Sequence, residues 1–217
     1  GEKQIELDRR MLGIRIKQLK EKLKKLDKQR GMQRRARKRS NILSVSIVGY
    51  TNAGKSTLFN SLTHETLLAE DKLFATLDTT SRKLFIEPNH KVIISDTVGF
   101  IKELPTTLIE AFKSTLEEAT DSDLLIHVVD VSNNNKSEQI NEVDKILKEI
   151  KASDLPQILV LNQIDKIPLK SMYERDEYGN IMRIQLSAKT CDGIEFLKQA
   201  IVEYDQKQIN QRNGQYA

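Results

Sequence analysis

The chain has 217 residues, 38% of them hydrophobic and 30% charged, with a single cysteine, Cys191. That length accommodates one ordinary domain plus an appendage, with a core that needs no cross-links. One cysteine excludes a disulfide scaffold and any cysteine-based zinc site. No apolar run approaches the roughly 18 residues that span a bilayer, and no signal-peptide pattern opens the chain, so a soluble cytoplasmic protein without a transmembrane segment is expected. The net charge of +4 hides a split. Residues 1–39 carry 16 Lys and Arg against 5 Asp and Glu, a charge of +11, and the remainder carries 19 against 26, a charge of −7. A polyanionic partner is expected for the first part only, with no DNA.

Residues 1–39 read as a long basic helix followed by a linker. Leu12, Ile16, Leu19, Leu23 and Leu26 follow a 4, 3, 4, 3 spacing, with Ile5 in the same register. This is a heptad seam. Arg9 and Arg30 close it at both ends, and about 26 helical residues span about 39 Å. Such a seam wants a covering helix, from upstream of Gly1 or from another copy; the alternative is a single helix lying on the domain. Gly31 interrupts the pattern. The run Gln33-Arg34-Arg35-Ala36-Arg37-Lys38-Arg39 is then either a solvated linker or a contact for RNA phosphates. It has no interleaved aromatics for base stacking.

From residue 40 to 205 the pattern alternates between strands and helices. Strands are expected at 42–48, 83–86, 92–94, 124–131, 158–161 and 181–186, and helices at 55–63, 107–121, 138–150 and 193–204. The strands are near-continuous apolar runs, as expected when helices cover both faces. Repeated β–α units imply an α/β fold with a mostly parallel sheet and right-handed crossovers. Residues 206–217 read as a polar, fraying tail.

Gly49-Tyr50-Thr51-Asn52-Ala53-Gly54-Lys55-Ser56 matches G-x-x-x-x-G-K-S/T between an apolar strand and a helix that continues with Thr57. The glycines let backbone wrap a phosphate, and the loop amides and helix N-terminus point at the anion. Lys55 supplies a mobile charge for the β- and γ-phosphates, and Ser56 a hard oxygen for Mg²⁺. Asp96-Thr97-Val98-Gly99 ends a strand, where Asp96 can hold a Mg²⁺-bound water and the Gly99 amide can reach a γ-phosphate. Asn162-Gln163-Ile164-Asp165 ends another. Asp165 can accept from guanine N1–H and N2–H₂, a donor pair that adenine lacks. Ser187-Ala188-Lys189 follows the next strand, where a backbone amide can donate to guanine O6. Each string is weak alone, but their order at successive strand ends is specific. Between 64 and 81, Phe74-Ala75-Thr76-Leu77-Asp78 suggests a switch whose Thr joins the Mg²⁺ shell only with a γ-phosphate present. Thr79 and Thr80 compete with Thr76 for that role.

These residues together resemble the G domain of the HflX GTPases, a translation-factor-class family of the Obg–HflX group. The matching strings are 49–56, 74–78, 96–100, Leu116-Glu117-Glu118 and the opening Gly1-Glu2-Lys3-Gln4-Ile5-Glu6-Leu7-Asp8-Arg9-Arg10. The resemblance covers nearly the whole chain. It implies a P-loop G-domain fold, GTP hydrolysis, binding to the large ribosomal subunit and its RNA, and a role in splitting or rescuing ribosomes under stress. It selects Thr76 as the switch threonine. Lys55, Thr76, Gly99 and Asn52 become the catalytic set, and Ser56, Thr76 and, through water, Asp96 the Mg²⁺ set. It also implies a further domain ahead of Gly1, joined through paired helices that would cover the seam.

Two positions bear on rate. Phe100 stands where many GTPases place a water-orienting Gln, and a phenyl ring cannot hydrogen-bond the attacking water, so slow intrinsic hydrolysis is expected. The simpler alternative is a core phenylalanine. Asn52 resembles the loop Asn of potassium-activated GTPases, which makes K⁺ a candidate cofactor. One position departs from the family pattern: Gln163 replaces the Lys of Asn-Lys-x-Asp, which puts nucleotide affinity in doubt but leaves Asp165 to select guanine. Two competing functions follow from these departures and the basic segment: an RNA-binding module with a slow or inactive nucleotide latch, or an ATPase. His64, His90 and His127 match no ligand spacing, and His127 reads as a core residue, as Cys191 reads as structural. Pro105 is expected to bend the loop before the helix at 107.

Overall fold

The computed structural model describes residues 10–15, 17–18, 21–22, 42–63, 80–87, 90–97, 99 and 119–214. It divides into two compact units, Gly1–Asn41 and Ile42–Ala217. In the first unit every described residue is helical and exposed, including Met11, Leu12 and Ile14. The rest of the expected seam (Ile5, Ile16, Leu19, Leu23 and Leu26) and the basic run 33–39 lie outside the described residues.

The second unit runs β1 (Leu43–Gly49), α1 (Lys55–Thr63), β2 (Thr80–Glu87), β3 (His90–Asp96), β4 (Leu124–Asp130), α2 (Lys136–Glu149), β5 (Gln157–Asn162), β6 (Met172–Arg175), β7 (Ile181–Gln185) and α3 (Ile194–Gly214). One sheet takes them in the order β2-β3-β1-β4-β5-β7-β6. The five inner strands are mutually parallel, while β2 and β6 pair antiparallel at the two edges. The edges depart from the expected β–α repeat because their connections are too short for a crossover helix. β2 passes to β3 through residues 88–89, and β6 to β7 through 176–180. β6 was not expected at all. Its four residues are half-exposed or exposed, so no apolar run marks it. The Gly179-Asn180 pair was the available turn signal. Asp176 caps that turn, its Oδ1 accepting from the N–H groups of Tyr178 and Asn180.

Side chains alternate across the sheet with the period of two that strands impose. Leu43, Val45 and Ile47 of β1 and Leu124, Ile126 and Val128 of β4 face Leu58, Phe59 and Leu62 of α1 and Leu197, Ala200 and Ile201 of α3. Val48 and Leu125 take the opposite face, against Val143, Ile146 and Leu147 of α2. Each Val, Leu, Ile or Phe among them contributes about 1.5–3 kcal/mol on burial. Burial on both faces explains why the inner strands carry almost no polar alternation.

α3 runs on through residues 206–214, part of the stretch expected to fray. Polar side chains near its middle tie it to three separate elements. Glu203 forms a two-pronged pair with Arg175 of β6 at 2.8 and 2.9 Å. Tyr204 donates to the Asp123 carbonyl at 3.0 Å, and Asp205 meets His90 Nδ1 at 2.9 Å. Gln208 then donates to the Tyr204 hydroxyl at 3.0 Å, which carries order one turn further. Of the helix expected over 107–121, residues 119–120 are helical, Asp121 is in a turn, and 107–118 lie outside the described residues.

Candidate functional site

Parallel pairing sets the carboxyl ends of β1, β3, β4 and β5 along one rim. Ile47 is level with Asp96, Gly49 with Val128, and Asp130 with Asn162. Side chains far apart in sequence therefore share one edge.

The phosphate loop fills the gap between β1 and α1. Gly49 has φ +151°, and a Cβ there would stand 2.2 Å from the Val128 carbonyl oxygen. Gly54 has φ +89°, and a Cβ there would meet Asn162 Nδ2 at 2.3 Å. Both positions exclude a side chain for reasons of space as well as backbone angle. Asn52 also takes a left-handed conformation, φ +61°. The first backbone bond of α1 runs from the Leu58 N–H to the Gly54 carbonyl at 2.9 Å. The amides of residues 55–57, Thr57 included, thus sit ahead of the helical ladder, where an anion is favoured.

Lys55 is 7% exposed, and its Nζ donates to the Tyr50 carbonyl across the loop at 2.8 Å. Burial pushes its pKa down to about 8, against the opposing attraction of Asp96. The cation is held in the loop at a solvation cost that an arriving phosphate would offset. Ser56 donates to Asp96 Oδ2 at 2.8 Å. A hydroxyl and a carboxylate side by side at the foot of a phosphate cradle are hard oxygen donors and fit Mg²⁺. No cluster of three or more His, Cys, Asp or Glu occurs among the described residues, so any divalent ion here would depend on phosphate oxygens and water as well. Thr97 is fully buried and donates to the Ile47 carbonyl at 2.6 Å, which locks the end of β3 to β1. Gly99 lies against the loop: a Cβ on it would fall 2.8 Å from Thr51 Cγ2 and 2.9 Å from Lys55 Nζ.

At the other end of the site, Asn162 joins two loops. Its Nδ2 donates to the Ala53 carbonyl at 2.9 Å, and its Oδ1 accepts from the Ala188 N–H at 2.9 Å. Gln163 is left-handed, φ +69°, and starts a short 3-10 turn, Ile164–Lys166, that presents Asp165. Ser187 donates to Asp165 Oδ1 at 2.6 Å, while Oδ2 has no hydrogen-bond partner among the described residues. Lys189 is exposed beside them.

The structure thus brings together Gly49 to Thr57, Asp96, Thr97, Gly99, Asn162 to Asp165 and Ser187 to Ala188. Phe74, Ala75, Thr76, Leu77, Asp78, Val98 and Phe100 lie outside the described residues, as do Thr79, His64 and Pro105. His127 is buried in β4, its pKa pushed down to about 4 by burial and by the Lys55 charge. Two features were not expected from the sequence. The Tyr50 carbonyl serves as the resting partner of Lys55, and Gln163 Nε2 bonds the Asn52 carbonyl at 3.0 Å. Neither has a sequence signal, because a backbone oxygen is present at every position.

Residues 44–163 match the family described as "50S ribosome-binding GTPase". GTPase HflX of Caldanaerobacter subterraneus subsp. tengcongensis is 49% identical over 201 residues, 93% of this chain and 46% of that protein. GTPase HflX of Escherichia coli is 44% identical over 204 residues, 94% and 48% respectively. The chain therefore spans about half the length of the curated relatives it matches. Among solved structures, a GTP-binding protein from the hyperthermophilic archaeon Sulfolobus solfataricus in complex with GDP is similar at 30% identity and a TM-score of 0.60, covering 82% of this chain and 57% of that one. No helix among the described residues is long and apolar enough to cross a membrane. The expected resemblance to HflX is borne out, and the chain belongs to the 50S ribosome-binding GTPase family.

Proposed function

We propose that this chain binds GTP and hydrolyses it slowly in a Mg²⁺-dependent reaction, as a cytoplasmic switch that works on the large ribosomal subunit. Splitting or rescuing ribosomes under stress is the cellular task this reading assigns to it. One observation carries the nucleotide part. Asn162 grips the phosphate loop with one end of its side chain and the 187–189 loop with the other, so the triphosphate cradle and the Asp165 base site share one frame. A ligand that reaches both is a guanine nucleoside polyphosphate, which GDP in the Sulfolobus relative supports.

Lys55 and the loop amides of residues 52–57 hold the β- and γ-phosphates in this scheme. Ser56, Thr76 and, through water, Asp96 hold Mg²⁺, which when bound neutralises charge on the phosphate oxygens. The Gly99 amide faces the γ-phosphate, and the switch role of 74–78 is the joining of Thr76 to the Mg²⁺ shell when that phosphate is present. Asp165 reads the guanine edge, oriented by Ser187, with Ala188 and Lys189 at O6. Asn52 is the ligand for K⁺, the candidate monovalent cofactor. Phe100 offers no hydrogen bond to the attacking water, so the acceleration falls to the ribosome. Residues 1–39, with their charge of +11, supply a contact for ribosomal RNA.

The test is phosphate release from GTP, with and without purified large subunits, in potassium and in sodium. The expected result is a low basal rate that rises at least about tenfold with subunits. A rate unmoved by subunits removes the proposed partner. No release under any condition favours the alternative, an RNA-binding module whose nucleotide site is an inactive latch, for which Phe100 and Gln163 speak.

A further inference from the structure

β2 is one edge of the sheet, and its side chains divide between two faces. Leu84 joins the core with Val92 and Ile94 of β3. Lys83 and Phe85 take the other face, level with Ile93 and Lys91 of β3. That face is covered at one end and open at the other: Ser95 and Ile93 are buried, but Phe85 is 67% exposed. Lys83 and Arg82 are exposed as well, and Lys91 is half-buried. The acidic residue of the strand, Glu87, lies beyond the irregularity in pairing that follows Phe85.

Charges and a bulge on an edge strand protect it from pairing with other chains, which accounts for Arg82 and Lys83. It does not account for Phe85. A phenyl ring left in water forgoes its burial free energy, and a ring repels no incoming strand. The Lys91 ammonium stands 5.3 Å from the ring centroid, so a cation is already held against the aromatic surface. We propose that Phe85, flanked by Lys83 and Lys91, is a stacking platform for an unpaired base of large-subunit RNA. This rests on the large-subunit reading above and places a contact on the GTPase unit itself, in addition to the charge of residues 1–39. Residues 40–217 carry a net charge of −7, so that unit as a whole repels a phosphate backbone, and RNA can approach it only where cations gather. Lys83 is two residues from Phe85, about 7 Å along one face, and Lys91 lies directly across from it. The two ammonium groups suit phosphates on either side of a base that stacks on the ring. An acidic peptide would satisfy the lysines and leave the ring unused. The base is one from a loop or bulge, because a paired base keeps its faces inside the duplex. Every base has a π-face, so the platform tolerates any of the four.

Two measurements on the full 217-residue chain, with purified large subunits and a non-hydrolysable GTP analogue, test it. In the first, Phe85 is replaced by photoreactive p-benzoylphenylalanine, and irradiation joins the chain to ribosomal RNA. A crosslink to ribosomal protein alone overturns the inference, as does none from a chain that stays bound. In the second, co-sedimentation reads subunit affinity. Phe85→Ala and Phe85→Leu each lose about tenfold, while Phe85→Trp stays within about twofold of the unaltered chain. GDP affinity is unchanged in all three, because Phe85 lies outside the nucleotide site. Lys83→Ala and Lys91→Ala each reduce the slope of log affinity against log salt by about one. Phe85→Ala that binds subunits as tightly as its parent overturns the inference alone. Phe85→Leu that does so overturns it too, by reducing the contact to a plain apolar one. No subunit binding by the unaltered chain overturns the large-subunit reading and this inference together.

Discussion

The Ser187 hydroxyl donates to Asp165 Oδ1 across 2.6 Å, joining the loop after β7 to the turn after β5. The bond takes one lone pair of the carboxylate and sets its plane, so the group is oriented before any base arrives. Asp165→Asn replaces that acceptor pair with one acceptor and one donor. GTP affinity should fall about 100-fold, and xanthine nucleotide should bind better than GTP. Competition between GTP and XTP for one labelled nucleotide measures the change. A variant that keeps the original preference removes Asp165 from base recognition.

Lys55 carries a charge in surroundings that desolvate it. Burial holds its pKa near 8, so below that pH the folded chain keeps a desolvated ammonium, and between about 8 and 10.5 it gives up the proton while the unfolded chain retains one. The nucleotide-free protein should therefore gain stability as pH rises through that window. Lys55→Met should stabilise the nucleotide-free chain by roughly 1–3 kcal/mol while lowering GTP affinity at least about 100-fold. Denaturant melts with and without GTP separate the two effects, and a Met variant less stable than its parent contradicts the first.

His127 acts with the same sign in a lower pH window. Its pKa is pushed down to about 4, so the folded chain holds it neutral between pH 4 and 6.5 while the unfolded chain binds a proton. The stability it contributes is present above 6.5 and is lost as pH falls through that window, by up to roughly 3 kcal/mol. His127→Leu should flatten this part of the stability profile. Equal slopes for the two proteins between pH 6.5 and 4 would show that His127 does not titrate there.

Gly49 and Gly179 separate space from backbone angle. Both have positive φ, +151° and +77°, yet a Cβ at Gly49 strikes the Val128 carbonyl at 2.2 Å while one at Gly179 meets nothing within 4 Å. Gly179→Ala should cost about 1–2 kcal/mol, the left-handed penalty alone. Gly49→Ala adds a clash with backbone that cannot swing away, and should cost at least about 3 kcal/mol. Urea midpoints of the two variants test the ranking.

Local chemistry made much of this protein legible in its sequence. The phosphate loop demands glycine where backbone crowds backbone, and it leaves a fixed spacing to Lys55 and Ser56 that is read before any fold is known. The inner strands announce themselves as apolar runs because both of their faces are buried, and α1 occupies the expected span, Lys55–Thr63. What the sequence could not carry was decided by tertiary neighbours. The direction of β2 and β6 depends on connection length and pairing, and β6 is too short and too exposed to leave a hydrophobic pattern. The length of α3 depends on partners for Glu203, Tyr204 and Asp205 that lie on three other elements. Gln163 is the sharpest instance. Its identity reads as a departure from a motif, and only the folded chain, by carrying the end of β5 to within 3.0 Å of the Asn52 carbonyl, gives its neutral amide a backbone acceptor.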